Sequence, residues 1–131
     1  MLTDNIIIRF VMSQEMFKFL NFKDIEWKNA PRGYYLTDVK QYTLWEDKKS
    51  GATLALVKFP KGVADKIHSH PDATQITIGL SGEIEMPNGV MPMHPNLLVT
   101  ASKGGKHGAT NFTKESIVLF FWDGPPKPKV E

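Results

Sequence analysis

Three of the four histidines fall in a spacing that suits one metal ion. His68 and His70 stand two residues apart, and His107 follows 37 residues after His70. Residues two apart on a strand point to the same face, so His68 and His70 can offer two imidazoles to one ion. A third imidazole from a distant strand closes a facial set of the kind that holds iron, nickel, manganese or zinc. Gln75 lies between them, placed to give a fourth donor or to anchor a metal-bound water. Its other reading is an amide that orients His70 from outside the ligand set. A glutamine in place of a carboxylate leaves the ion its full charge, which makes it a stronger Lewis acid toward a bound anion. The chain has no cysteine, so any such site takes nitrogen and oxygen donors only.

These residues sit in two spaced blocks. The first is Gly62, five residues, His68, one residue, His70, four residues, Gln75, six residues, Gly82. The second is Gly104, two residues, His107, three residues, Asn111. In order and spacing the blocks resemble the paired motifs of the cupin superfamily, over residues 62–111. Three positions depart from the family pattern: Gln75 stands for its Glu, Asn96 for a Gly and Ser102 for a Pro. The resemblance implies a single-domain, all-β jelly-roll barrel with one divalent transition metal (Fe, Ni, Mn or Zn). Its ligands would be His68, His70, Gln75 and His107, and cupins are commonly homodimers. The run Trp45-Glu46-Asp47, followed by residues 51–59, is similar to the small acetylacetone-cleaving and ChrR-like cupins. Three-histidine cupins include acetylacetone, gentisate and cysteine dioxygenases. That likeness implies a metal-dependent dioxygenase acting on a small oxygen-rich or carbonyl-containing molecule. The same His-x-His, Gln, His set also resembles cupins that open unsaturated uronates, which implies a non-redox sugar-acid isomerase or lyase. A cupin that binds a small ligand without turnover is the third reading.

The elements that must position these residues are short strands. Val39–Trp45, Thr53–Phe59, Thr74–Leu80, Glu83–Met86, Leu97–Ala101 and Ser116–Trp122 alternate or run apolar between turn residues. Strands at this interval, with no long helical stretch, predict a β-sandwich or barrel over residues 34–123. Residues 1–33 read as an N-terminal segment that covers the barrel or a dimer contact, with a short helix or strand at 13–20. Residues 124–131, rich in proline, read as an extended tail that cannot join a central sheet. Thr77 and Gly79 continue the Gln75 face and are expected to line the pocket, with Ile76, Ile78 and Leu80 opposite. In the last strand, Ile117, Leu119 and Phe121 share one face, and Val118, Phe120 and Trp122 share the other. An antiparallel strand apolar on both faces is expected to be buried on both, by a second sheet with the N-terminal segment or by a second subunit, and the resemblance to cupins favours the subunit. Phe121, rather than Trp122, is expected to face the pocket.

Composition narrows the function. The chain of 131 residues fits one domain. A net charge of +2 is too mild to argue for a nucleic-acid or membrane partner, and the resemblance to cupins implies a small-molecule substrate or ligand. The apolar patch at Ile6–Ile8, Phe10 and Val11 is broken by Arg9 and lacks a cleavage site, so a cytoplasmic protein is expected, started from Met1 or Met12. His94 reads as a turn or rim histidine. Arg32 can clamp a substrate carboxylate, although an exposed loop arginine is the plainer description. Glu83 and Glu85 look like a solvated face. No Ser-His-Asp set, phosphate-cradling loop or paired-carboxylate motif stands out, which leaves a metal as the reactive centre.

Overall fold

The computed structural model of the chain describes residues 18–31, 33–93 and 96–131. Arg9, Arg32, His94, both start methionines and residues 13–17 lie outside that set, and residues 18–20 carry no regular structure. The described residues hold one 3-10 turn, Phe22–Asp24, and twelve strands. In chain order these are β1 (Lys28–Asn29), β2 (Lys40–Glu46), β3 (Thr53–Phe59), β4 (Gly62–Val63), β5 (His68–Ser69) and β6 (Gln75–Ser81). There follow β7 (Glu83–Met86), β8 (Gly89–Pro92), β9 (Leu98–Ala101), β10 (Asn111–Phe112), β11 (Ser116–Trp122) and β12 (Lys129–Val130). No helix among the described residues is long and apolar enough to cross a membrane.

The strands assemble as antiparallel sheets. One has six strands in the order β1-β2-β3-β11-β6-β9, the other four in the order β4-β10-β7-β8, and β12 pairs with β5. Both larger sheets send side chains into one core, where Val57, Phe59 and Val118 meet Phe112 and Met93. Phe59 and Phe112 stack across it, with ring centroids 4.3 Å apart and planes 12° from parallel. The all-β jelly-roll reading of the sequence therefore holds. β3, β7 and β11 have the bounds predicted from sequence, β2 and β6 are each shifted by one residue toward the C-terminus, and β9 starts one residue later. The two-residue strands carry no periodicity and could not be read in advance.

β11 is the central plank. It pairs with β3 on one side and β6 on the other, with Phe120 opposite both Ala55 and Thr77. This register places Val118, Phe120 and Trp122 on the Gln75–Thr77 face. The proline-rich tail does more than cross the surface: Lys129 lies beside Ser69 and Val130 beside His68. The tail thus supplies an edge partner to the short strand that bears the first histidine.

The turn between β6 and β7 depends on Gly82. Its φ is +98°, and a Cβ there would lie 1.9 Å from Ser116 Oγ. Ser116 is fully buried, and its hydroxyl donates to Lys114 O while accepting from Glu83 N. Backbone strain and a clash with an immovable neighbour therefore coincide. Gly82→Ala should cost about 3 kcal/mol or more in urea unfolding. Gly89 also has positive φ, +130°, but open space around it, so Gly89→Ala should cost only about 1 kcal/mol. Equal losses in the two variants would show that the Ser116 contact contributes nothing.

Candidate metal centre

The two motifs are joined backbone to backbone. His68 N donates to His107 O and His107 N donates to His68 O, both at 2.8 Å. The two histidines are thus a hydrogen-bonded antiparallel pair. Gly104 N donates to His70 O at 3.0 Å, which ties the second motif to the second ligand. Nearer the motif ends, Gly62 pairs with Phe112 and Val63 with Asn111. The register slips by one residue between these pairs and the histidine pair. The slip falls where Gly108 and Ala109 take φ of 121° and 54°. An extra residue of this kind bends a strand and re-aims the side chains beside it.

Backbone carbonyls then fix the imidazoles. His68 Nδ1 meets Lys66 O at 2.6 Å, His70 Nδ1 meets Pro126 O at 3.0 Å, and His107 Nδ1 meets Gly105 O at 3.0 Å. A carbonyl only accepts, so each Nδ1 carries the proton and each Nε2 keeps a lone pair. Potential ligand atoms of the three residues lie within 4.8 Å of one another. His68 and His70 are each 2% exposed. His70 Nε2 and His107 Nε2 are buried and have no hydrogen-bond partner among the described residues. Buried polar atoms are nearly always satisfied, and two facing lone pairs cannot satisfy each other. A divalent cation fits this donor set. Burial, followed by the neighbouring His68 and His107, pushes the His70 pKa down to about 4. Burial likewise lowers that of His68. Both therefore stay neutral near pH 7, the form that ligates a metal.

Gln75 stands at the edge of the cluster. Its Oε1 accepts from Trp122 Nε1 at 2.9 Å. The indole N–H can only donate, so the amide oxygen, not the nitrogen, faces that ring. The same amide lies beside His70, where it favours the protonated imidazole, yet it makes no hydrogen bond to Nε2. One lone pair of Oε1 is thus committed to Trp122 and the other remains available beside the histidines. Trp122 also packs on His70, with ring centroids 6.0 Å apart.

His68, His107, Gln75 and Thr77 form part of the wall of a cavity of about 190 Å³. Two expectations for that wall are corrected. Phe121 lies opposite Ile76 and so faces away, because strand alternation groups Phe120 and Trp122 with Thr77 and Gln75. Phe120 lines the cavity, while the buried indole finds its acceptor in Gln75. Gly79 continues the Gln75–Thr77 face, but a Cβ there would lie 2.2 Å from Met93 O. Met93 therefore closes the cavity before that position. Four contributors escaped the sequence: Tyr34 and Tyr35, Asp65, and the Pro126 carbonyl. Asp65 Oδ2 lies 4.0 Å from His68 Nδ1, and burial raises its carboxyl pKa. No motif marks these residues, and a carbonyl's direction is not a property of its side chain. The period of two groups Trp122 with Phe120, and the pairing with β6 turns that face toward Gln75 and Thr77.

The model for the ChrR cupin-like domain matches residues 15–127. No curated protein sequence matches the chain significantly. An acetylacetone dioxygenase from Acinetobacter johnsonii superposes with a TM-score of 0.66 at 18% identity, covering 82% of this chain and 74% of that one. KdgF from Halomonas sp. gives 0.61 at 18% identity, over 85% of this chain and 94% of that one. The DMSP lyase DddQ from Ruegeria pomeroyi DSS-3 gives 0.60 at 21% identity, over 99% and 70%. At such identities the likeness speaks to fold, whereas the family match spans most of the sequence. The chain belongs to the ChrR cupin-like family.

Proposed function

We propose that the protein binds one divalent transition metal through His68, His70 and His107, with Gln75 as fourth donor or water anchor. We further propose that it acts as a metal-dependent dioxygenase on a small carbonyl-containing molecule. The observation that carries the metal reading is the shared tautomer: three Nδ1–H groups tied to backbone carbonyls, and two buried Nε2 atoms with no other partner. When bound, such a metal supplies Lewis acidity and, for iron, access to oxygen chemistry. The chain's own residues present neutral donors, exclude bulk water from the cluster and leave a cavity beside it. The dioxygenase reading draws support from the acetylacetone dioxygenase of like fold. A non-redox sugar-acid isomerase or lyase, or a ligand binder without turnover, are its competitors.

A homodimer in the cytoplasm completes the proposal. Its support is the outer face of the six-stranded sheet. There Leu119 lies beside Leu56 and Ile78, and Phe121 beside Leu54 and Ile76. On the same face Trp45 is 51% and Leu98 61% exposed. Light scattering that shows a monomer at micromolar concentration would defeat the dimer.

Metal content tests the site. Protein purified without added metal and then dialysed should hold about one ion per chain. Replacing any one of the three histidines by Ala should remove most of it, because a facial set short of one imidazole loses its chelate advantage. Gln75→Glu should tighten retention, since a carboxylate adds charge, and His94→Ala should leave it unchanged. A His107→Ala chain that keeps its metal would mean the third ligand is wrongly assigned. Oxygen uptake by iron-loaded protein across diketones, phenolic acids and uronates then separates the three functional readings.

Proton linkage gives an independent check on the metal-free chain. An unfolded histidine titrates near its ordinary value of 6.5, while the folded His70 holds out to about 4. Between those values the unfolded state binds more protons, so stability should fall as pH drops from about 6.5 toward 4. Chelator-treated protein melted across this range should show that decline, and His70→Gln should flatten it.

A further inference from the structure

Tyr34 and Tyr35 lie in the cavity wall beside His68 and His107, yet nothing in the metal reading uses them. The Tyr34 ring packs on the His68 ring with centroids 4.2 Å apart, and the two tyrosine rings lie 4.3 Å from each other. Their hydroxyls are 3.0 Å apart, with Tyr34 as donor to Tyr35. Two hydroxyls carry two protons, and only one can sit between the oxygens. The second proton, on Tyr35, has no acceptor among the described residues. An ordinary phenol keeps its proton at neutral pH. The pair is thus a fixed donor.

The rest of the wall limits what can use that donor. Phe59, Phe112, Phe120, Val118, Ile84 and Met93 supply apolar surface. No lysine or arginine lines the cavity among the described residues, and its one carboxylate is Asp65. Away from an ion at the histidines, an anionic group would meet no cationic side chain, and a polyol would leave many hydroxyls facing hydrocarbon. At about 30 Å³ for each water-sized group, 190 Å³ admits roughly six such groups.

We infer that the Tyr34–Tyr35 pair is a second anchoring point of the ligand site. It donates a hydrogen bond to one oxygen of a compact, uncharged, largely apolar molecule whose other oxygen meets the histidine cluster. The inference rests on the metal reading above and gives it a substrate class, which sugar acids do not fit.

The test uses the full chain loaded with zinc, which is redox-silent. Calorimetric titration compares three probes: 2,4-pentanedione, 2-pentanone with a single acceptor, and galacturonate. Wild-type protein should bind the diketone at least tenfold more tightly than the monoketone and should not bind galacturonate. Tyr35→Phe should weaken diketone binding by about five- to tenfold, the worth of one hydrogen bond. Its metal content, melting temperature and monoketone affinity should stay at wild-type values, a pattern that a merely structural role would not give. Tyr34→Phe should have a smaller effect in the same direction. Unchanged diketone affinity in both variants, or galacturonate bound as well as the diketone, would overturn the inference while leaving the metal reading intact. Loss of zinc or of folding in both variants would make the pair a structural prop and overturn it too. A wild-type chain that takes up no zinc removes the metal reading and this inference together.

Discussion

The reciprocal backbone bonds between His68 and His107 are the constraint on which the site depends. Two residues far apart in sequence are held as a direct antiparallel pair, so their imidazoles leave one small region of backbone. His70 joins through the Gly104 bond to its carbonyl. Each ring is then turned by a carbonyl at its Nδ1 rather than by a side chain. A backbone carbonyl can never donate and does not titrate, so it selects the tautomer of a neutral ring. The result is a cluster whose potential ligand atoms lie within 4.8 Å of one another, with His70 Nε2 and His107 Nε2 buried and without a partner among the described residues. A protein retains such an arrangement where something repays it.

The second support comes from elements remote in sequence. Trp122, at the end of the central strand, holds the amide oxygen of Gln75 and packs on His70. Two residues on, the chain leaves the sheet and returns Pro126 O to His70 Nδ1. Val130 then pairs with His68, and Lys106 and Glu131 form an ion pair. Strand and tail together enclose the first motif from the side opposite the second. A glutamate at position 75 would accept equally well from the indole, so Trp122 does not by itself explain the amide. What the amide changes is charge.

How much of this was legible follows from what periodicity can carry. The alternation in Thr53–Phe59 and Ser116–Trp122 spans enough residues to define strand and face. The histidine spacing defines the cluster, since a period of two places His68 and His70 together. Periodicity sets Phe121 and Trp122 on opposite faces but carries no register, so only the pairing of β11 with β6 decides which of the two faces the Gln75 side. Pairing across the sheet puts Trp122 with Gln75, and a buried indole needs an acceptor. Tyr34 and Tyr35 were hidden for a different reason. They precede the first long strand in irregular chain, and only the bridge between Tyr35 and Asp65 carries them to the cavity. No local pattern encodes a bridge of one residue.

Charge closes the argument. Three neutral imidazoles and an amide give a cation no counter-charge within the cluster, so compensation must come from farther out or from a ligand. Among the described residues lining the cavity, the only acid is Asp65, 4.0 Å from His68 Nδ1. Burial alone raises its pKa, while Thr110 N and the histidines pull it down. A cation at the Nε2 atoms would add to that downward pull, so the ionised carboxylate and the metal favour each other across the His68 ring. That compensation would stay one ring removed, and among apolar walls an ion held by the histidines would be the strongest attraction an oxygen ligand could meet there.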